Sequence, residues 1–216
     1  MTEVGGWYLP GKDSYFARYV EGPPGKRNGF QRDHLLKAFE FVTAWGVAVD
    51  VGAHVGFWTR DMAERFAEVH AFEPAEDTFA CLEKNTADLT NVHLRFAAVG
   101  DQCGVCNVEE DGRRLGNTGA RFVRPGQGVR LVLALDDVGL QGCNLLKVDV
   151  EGFELQVLMG AQRLIAEHKP VIIMETDKKF SRPRYGIPTD AAEKHLLARG
   201  YREVAHMRPD KVFVAS

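Results

Sequence analysis

The chain is short of the features that would send it out of the cell or into a bilayer. It holds four cysteines, Cys81, Cys103, Cys106 and Cys143. Only Cys103 and Cys106 have a paired spacing, and without a second pair or a nearby histidine set this argues against a structural zinc site. No apolar run approaches the length of a membrane span. The opening Met1-Thr2-Glu3-Val4-Gly5-Gly6 has neither the basic nor the apolar region of a secretory signal. A cytoplasmic protein, with no membrane partner, is expected. An excess of charge is also missing: the net charge of −3 argues against a polyanion-binding surface and so against nucleic acid as a partner. What is present is 45% hydrophobic and 26% charged residues in a chain of 216, a globular composition in a length that suits one domain.

The most informative stretch is residues 47–57. An apolar run reaches Asp50, passes through Gly52-Ala53-His54-Val55-Gly56, and is followed by residues 58–66 with helical character. This reads as strand, tight turn and helix start, the place in an open parallel sheet where ligands sit. Gly52 and Gly56 remove side chains where a ligand approaches closely. The spacing is not the Gly-x-Gly-x-x-Gly of dinucleotide sites, and Asp50 would stand beside a pyrophosphate. A carboxylate there suits a cationic ligand such as S-adenosyl-L-methionine, with its ammonium and sulfonium.

Residues 1–30, rich in Gly, Pro and aromatics, read as an N-terminal arm or a lid, and residues 31–216 as a single domain. A helix is expected over 33–44. A second strand ends at Glu73-Pro74, and Glu73 lies at the roughly 20-residue offset from Gly52 at which an acid meets ribose hydroxyls. A helix over 75–89 and a third strand over 91–99 follow. Residues 100–142 break the alternation and read as a small antiparallel insertion, with Arg113, Arg114, Asn117 and Arg121 near the ligand edge. The strand 144–151 carries Lys147 and Asp149, and isolated charges in a buried strand are costly. An ion pair of Lys147 with Asp50 or Asp149 accounts for the lysine. Asp149, at the carboxyl end, has a functional reading at least as strong as a structural one. Glu151 faces substrate or opens the next helix. One helix over 153–168, a buried strand over 171–175, a basic loop over 178–184, a helix over 189–199 capped by Thr189 and a closing strand pair complete the pattern.

This order of signals resembles the FkbM-type S-adenosylmethionine-dependent methyltransferases. The matching pieces are Val49-Asp50-Val51-Gly52-Ala53-His54-Val55-Gly56, Ala71-Phe72-Glu73-Pro74, residues 91–100, Leu146-Lys147-Val148-Asp149-Val150-Glu151-Gly152-Phe153-Glu154 with Leu158, Gly160 and Ala161, and Lys169-Pro170-Val171-Ile172-Ile173-Met174-Glu175. The resemblance covers roughly residues 45–205. It implies an α/β, Rossmann-like class I methyltransferase sandwich, whose mostly parallel seven-stranded sheet ends in an antiparallel strand, and methyl transfer to a hydroxyl oxygen. By the same resemblance, Asp50, Gly52 and Gly56 line the methionine part of the cofactor, Glu73 the ribose, Ala97 and Ala98 the adenine, and Asp149 the reacting methyl, with Ala53, His54 and Pro74 also counted as cofactor-binding. His54 stands where many members carry Asn, and it hydrogen-bonds cofactor, acts on substrate or fills the turn.

An alcohol acceptor must lose a proton, and Asp149, Glu151 and His54 are the candidate bases, in that order for the two acids. No metal ligand is assigned. The exit of the fourth strand lacks the Asn/Asp-Pro-Pro-aromatic pattern of enzymes that methylate base amino groups. The expected acceptor is a small molecule or glycan. Two rivals stand beside this reading: a nicotinamide-dependent oxidoreductase, favoured by Glu73 and opposed by Asp50 and the missing third glycine, and a cofactor-binding domain without turnover.

Overall fold

The computed structural model describes residues 1–20, 30–176 and 180–216. The chain opens with a hairpin of β1 (Thr2–Val4) and β2 (Trp7–Leu9) and a short helix α1 (Ala17–Val20). Helix α2 (Arg32–Phe39) leads into β3 (Val47–Val51), α3 (Phe57–Ala63), β4 (Glu68–Phe72), α4 (Glu76–Thr86) and β5 (Val92–Arg95). A side sheet follows, built from β6 (Ala97–Val99), β7 (Gly104–Glu109), β8 (Phe122–Pro125) and β9 (Arg130–Leu133). The chain then returns through β10 (Leu145–Val148), α5 (Glu154–Met159), α6 (Gln162–His168), β11 (Val171–Glu175), α7 (Ser181–Tyr185), α8 (Ala191–Leu197), β12 (Tyr201–Met207) and β13 (Asp210–Ala215).

The main sheet has seven strands in the order β12-β13-β11-β10-β3-β4-β5. The pairs from β11 to β5 are parallel, and β13, the last strand, runs antiparallel to both of its neighbours. Strand alternation divides the core between the two faces. Ala48, Leu145, Ile173 and Val212 face one apolar cluster with Leu35, Met62 and Phe66. Val49, Leu146, Ile172 and Phe213 face the other, with Val157, Leu158 and Leu196. Trp7, Leu9 and Phe16 join the first cluster, so the N-terminal residues pack on the same core as β3. Asn85 fixes them there: it donates to the Tyr8 carbonyl at 2.9 Å and accepts from the Tyr8 amide at 2.8 Å.

Several local expectations are corrected. The third strand breaks at Phe96, so β5 closes the main sheet while β6 pairs in parallel with β9 in the other. Within residues 100–142 the expected antiparallel insertion is present, with β7 antiparallel to both β8 and β9. The helix over 153–168 is two helices. Gly160 interrupts it where a Cβ would meet the Gly100 carbonyl oxygen at 1.9 Å, so tertiary contact overrides helical periodicity. Asp190, not Thr189, is the N-cap of α8. Part of the basic loop, Ser181–Tyr185, is helical, and Lys178 and Lys179 lie outside the described residues. Among the described residues no helix is long and apolar enough to cross a membrane.

Candidate active site

A cavity of about 360 Å³ opens at the carboxyl ends of the parallel strands. Gly52, Ala53 and His54 reach it from the turn after β3, Glu73 and Pro74 from the end of β4, and Ala97, Ala98 and Val99 from β6. Asp149, Val150 and Glu151 enter after β10 and Glu175 at the end of β11. Tyr15, Phe16, Phe30, Gln31 and Trp58 supply a largely aromatic wall, and Arg114, Asn117, Thr118 and Arg121 belong to the insertion.

The glycine turn is held by backbone. The Gly52 and Ala53 amides both donate to the Phe72 carbonyl at 3.0 Å. Gly52 has φ 81°, and a Cβ on it would lie 1.9 Å from the Asp149 carbonyl oxygen, so the turns after β3 and β10 touch backbone to backbone. Gly56, at φ 94°, faces Leu82 at 2.7 Å and does not line the cavity. Its missing side chain lets α3 approach α4.

Asp50 also lies off the cavity wall. It is fully buried and stands directly opposite Lys147 in the β3–β10 register. Its Oδ1 pairs with Lys147 Nζ at 3.0 Å, and its Oδ2 accepts from Thr59 Oγ1 at 2.7 Å. Lys147 Nζ donates further to the Gly52 carbonyl at 2.5 Å. Burial works against the lysine charge, but Asp50 and Asp149 outweigh it and leave the Lys147 pKa raised. Asp50, expected at the cofactor, instead lies buried behind the cavity wall. Asp50 orients a lysine that holds the glycine turn.

Glu73 is on the wall and buried. Its Oε2 accepts from the His54 amide at 3.0 Å and its Oε1 from the Ala75 amide at 2.9 Å. Burial pushes its pKa up to about 7, against the pull of those two amides. His54 sits in the left-handed region at φ 51°. Its ring lies 4.4 Å from that of Phe16, and its Nε2 meets Thr118 Oγ1 at 2.8 Å. Thr118 donates its hydroxyl proton to Asp13 in a very short bond. With that proton committed, Thr118 accepts from His54 Nε2–H, which leaves His54 Nδ1 unprotonated and, among the described residues, without a partner. Burial lowers the His54 pKa to about 4, opposed by Asp13, so the ring is neutral near pH 7. His54 therefore ties the arm and the insertion to the glycine turn.

One carboxylate oxygen from each of Asp149, Glu151 and Glu175 lies within 4.8 Å of the others. Such a set is of the kind that holds a divalent cation. Glu151 has φ 57° and is buried. Arg184 donates to its carbonyl at 2.6 Å and stands 3.5 Å from its carboxylate. Beside this group Glu154 Oε1 accepts from the Gly152 amide at 2.8 Å, and burial raises its pKa to about 7.

Comparison with known proteins settles the family. A model described as "Methyltransferase FkbM domain" matches residues 50–203. The chain belongs to the FkbM methyltransferase domain family. Its fold is similar to that of a crystallised methyltransferase FkbM from Methylobacillus flagellatus KT, with TM-score 0.54 and 18% identity over 79% of this chain and 43% of that one. The chain thus spans less than half the length of that relative. Similar folds are those of a precorrin-6y C5,15-methyltransferase from Geobacter metallireducens GS-15 (TM-score 0.53, 12% identity, 88% and 91% covered) and a ribosomal protein L11 methylase from Lactobacillus delbrueckii subsp. bulgaricus (TM-score 0.51, 12% identity, 84% and 76% covered). A search of curated proteins gave no match. The family rests on the matched domain, and the α/β fold is the one these methyltransferase structures share.

Within this family frame the cavity gathers Gly52, Ala53, His54, Glu73, Pro74, Ala97, Ala98, Asp149 and Glu151, and leaves Asp50 and Gly56 behind it. Of the arginines expected near the ligand edge, Arg114 and Arg121 reach the wall and Arg113 does not. Arg121 is spent on Asp77, Thr78 and Glu110. Sequence reasoning missed Glu175 as a site residue, although it ends a buried strand in a carboxylate just as Asp149 follows one. It also missed Asp13, Thr118 and Gln31, whose places depend on contacts between distant segments and carry no local signal.

Proposed function

We propose that this domain is an S-adenosylmethionine-dependent O-methyltransferase acting in the cytosol on a hydroxyl of a small-molecule or glycan acceptor, not on nucleic acid or a membrane lipid. The observation that carries this reading is the gathering of Asp149, Glu151 and Glu175 at the cavity end beside the glycine turn. The residues present fit the cofactor. Glu73 has each oxygen engaged by one amide, and a carboxylate has about four lone-pair sites, so acceptor capacity remains for two ribose hydroxyls. Ala97 and Ala98 leave a slot free of long side chains, suited to a flat heterocycle. The acids near Gly52 favour a cation, and Lys147, the nearest base, is already paired with Asp50.

When bound, S-adenosylmethionine supplies a methyl group on a positively charged sulfur. The protein's task is to hold the acceptor oxygen in line with that methyl and to take its proton. Asp149, on the turn that abuts Gly52, accepts the proton directly or through one water, with Glu151 second in reach. Methyl transfer to the oxygen would break the carbon–sulfur bond and leave its electron pair on sulfur, and the acceptor's proton would stay on the Asp149 carboxylate. His54, neutral and already bonded to Thr118, has a supporting part.

The test is calorimetric titration with S-adenosylhomocysteine and with NAD, followed by transfer of labelled methyl to a panel of hydroxylated acceptors. Binding of the first ligand and labelled product are expected. NAD binding in place of S-adenosylhomocysteine would point to an oxidoreductase, and binding without turnover to a non-catalytic domain.

A further inference from the structure

Four non-glycine residues among those described adopt left-handed backbone: Gln31, His54, Glu151 and Lys169. Lys169 closes helix α6, an ordinary use of that conformation. The other three all line the cavity. Backbone strain of this kind persists where the surroundings enforce it, and it concentrates at functional sites. His54 and Glu151 have clear engagements with Thr118 and Arg184. Gln31 has none for its side chain.

Gln31 is the N-cap of α2, yet its side chain makes no capping bond. Its carbonyl accepts from the His34 amide, and among the described residues its side-chain amide has no hydrogen-bond partner. The backbone around it is pinned on both sides. Trp58 Nε1 donates to the Phe30 carbonyl at 2.8 Å, and Arg32 Nε donates to Asp61 at 2.8 Å. One turn on, His34 Nδ1 meets Asp210 at 2.7 Å. Glycine or asparagine would adopt φ 51° at lower cost. A glutamine held there, with its amide unused, is built like a recognition group on a rigid support.

Its place in the sheet order says what it meets. Asp210 is the register partner of Glu175 across β11 and β13, and Pro209 beside it lines the cavity. Gln31 is thus held between α3, through Phe30 and Arg32, and β13, through His34, whereas Glu73 and Ala97 enter the cavity from β4 and β6. Resting on the methyltransferase reading above, we propose that Gln31 is a specificity-determining residue for the methyl acceptor. Its amide donates to one hydroxyl and accepts from a neighbouring hydroxyl of an uncharged polyol ring. An amide offers one acceptor and two donors without charge, which matches paired hydroxyls. Asp149, Glu151 and Glu175 oppose an anionic acceptor in the same cavity.

The test uses the full chain with S-adenosylhomocysteine and three probes followed by ligand-observed NMR: methyl glucoside, glucuronate and glucosamine. Methyl glucoside is expected to bind in preference to glucuronate, whose carboxylate the three acids oppose, and glucosamine, which keeps the ring hydroxyls, is expected to bind as well. Gln31→Gly, which suits the backbone, should weaken that binding about tenfold, and Gln31→Asn should retain part of it. The melting temperature of Gln31→Gly should be no lower than that of the parent, with S-adenosylhomocysteine affinity unchanged. The proposal is overturned if Gln31→Gly binds methyl glucoside as the parent does, if it melts lower, if glucuronate binds as well as methyl glucoside, or if none of the three binds. Failure of S-adenosylhomocysteine itself to bind would remove the underlying reading, a result distinct from each of these.

Discussion

Strands β3 and β10 lie side by side and end in nearly the same words, Val49-Asp50-Val51-Gly52 and Val148-Asp149-Val150-Glu151-Gly152. The register sets them two residues apart, since Val51 pairs with Val148 and Asp50 with Lys147. Asp50 is therefore inside its strand, sealed from solvent and bonded to Lys147 and Thr59. Asp149 lies one step past the end of its strand and on the cavity wall. The same tripeptide is a support in one strand and a reaching group in the other. What decides its role is height in the sheet, not residue type.

The sharpest way to break this comparison is to remove the partner of the buried acid. Lys147→Ala strands the Asp50 charge and should cost about 3–5 kcal/mol in urea unfolding. The double change Lys147→Met with Asp50→Leu should recover most of that. A single variant as stable as the parent would show that the pair does not support the sheet. Next in size, Asp149→Asn should leave the unfolding midpoint in place and lower methyl transfer by about 10²–10⁴-fold, with S-adenosylhomocysteine affinity mostly intact. Equal losses of turnover and affinity would make Asp149 structural. Thr59→Val removes one bond to the buried Asp50 and should cost about 1.5–3 kcal/mol of stability.

The smallest expected effect is a pH dependence at Glu73, whose pKa burial raises to about 7 from an ordinary 4.5. A carboxyl raised in the fold takes up protons more readily there than in the unfolded chain. Its contribution to stability is therefore present below about pH 4.5 and is lost as pH rises through 7. Cofactor affinity should move the other way. Accepting from ribose hydroxyls needs the carboxylate, so S-adenosylhomocysteine should bind up to about tenfold more tightly at pH 8 than at pH 6. A flat profile in calorimetry, or a Glu73→Ala variant with unchanged affinity, would remove Glu73 from the ribose.

Much of this was legible from local pattern. The apolar run into Gly52, the acid at Glu73 and the charged end of β10 place the strand ends and the turns that build the cavity. Register was not legible, and for that reason Asp50 was expected at the ligand and lies behind it. Nor does any local pattern announce that Gly160 must yield to Gly100, or that Phe96 lets one strand serve two sheets. The chain from Asp13 through Thr118 to His54 joins three segments that only tertiary packing brings together. Glu175 carried the same signal as Asp149 and was passed over because the strand before it is wholly apolar.

The contact between Gly52 and the Asp149 carbonyl has an engineering consequence. The turns after β3 and β10 are welded through main chain, so a shift in one is passed to the other with no side chain between them. The wall positions to randomise in retargeting the domain are then those outside that weld, outside the Asp13–Thr118–His54 chain and other than the buried Phe16 and Trp58, provided position 52 stays glycine.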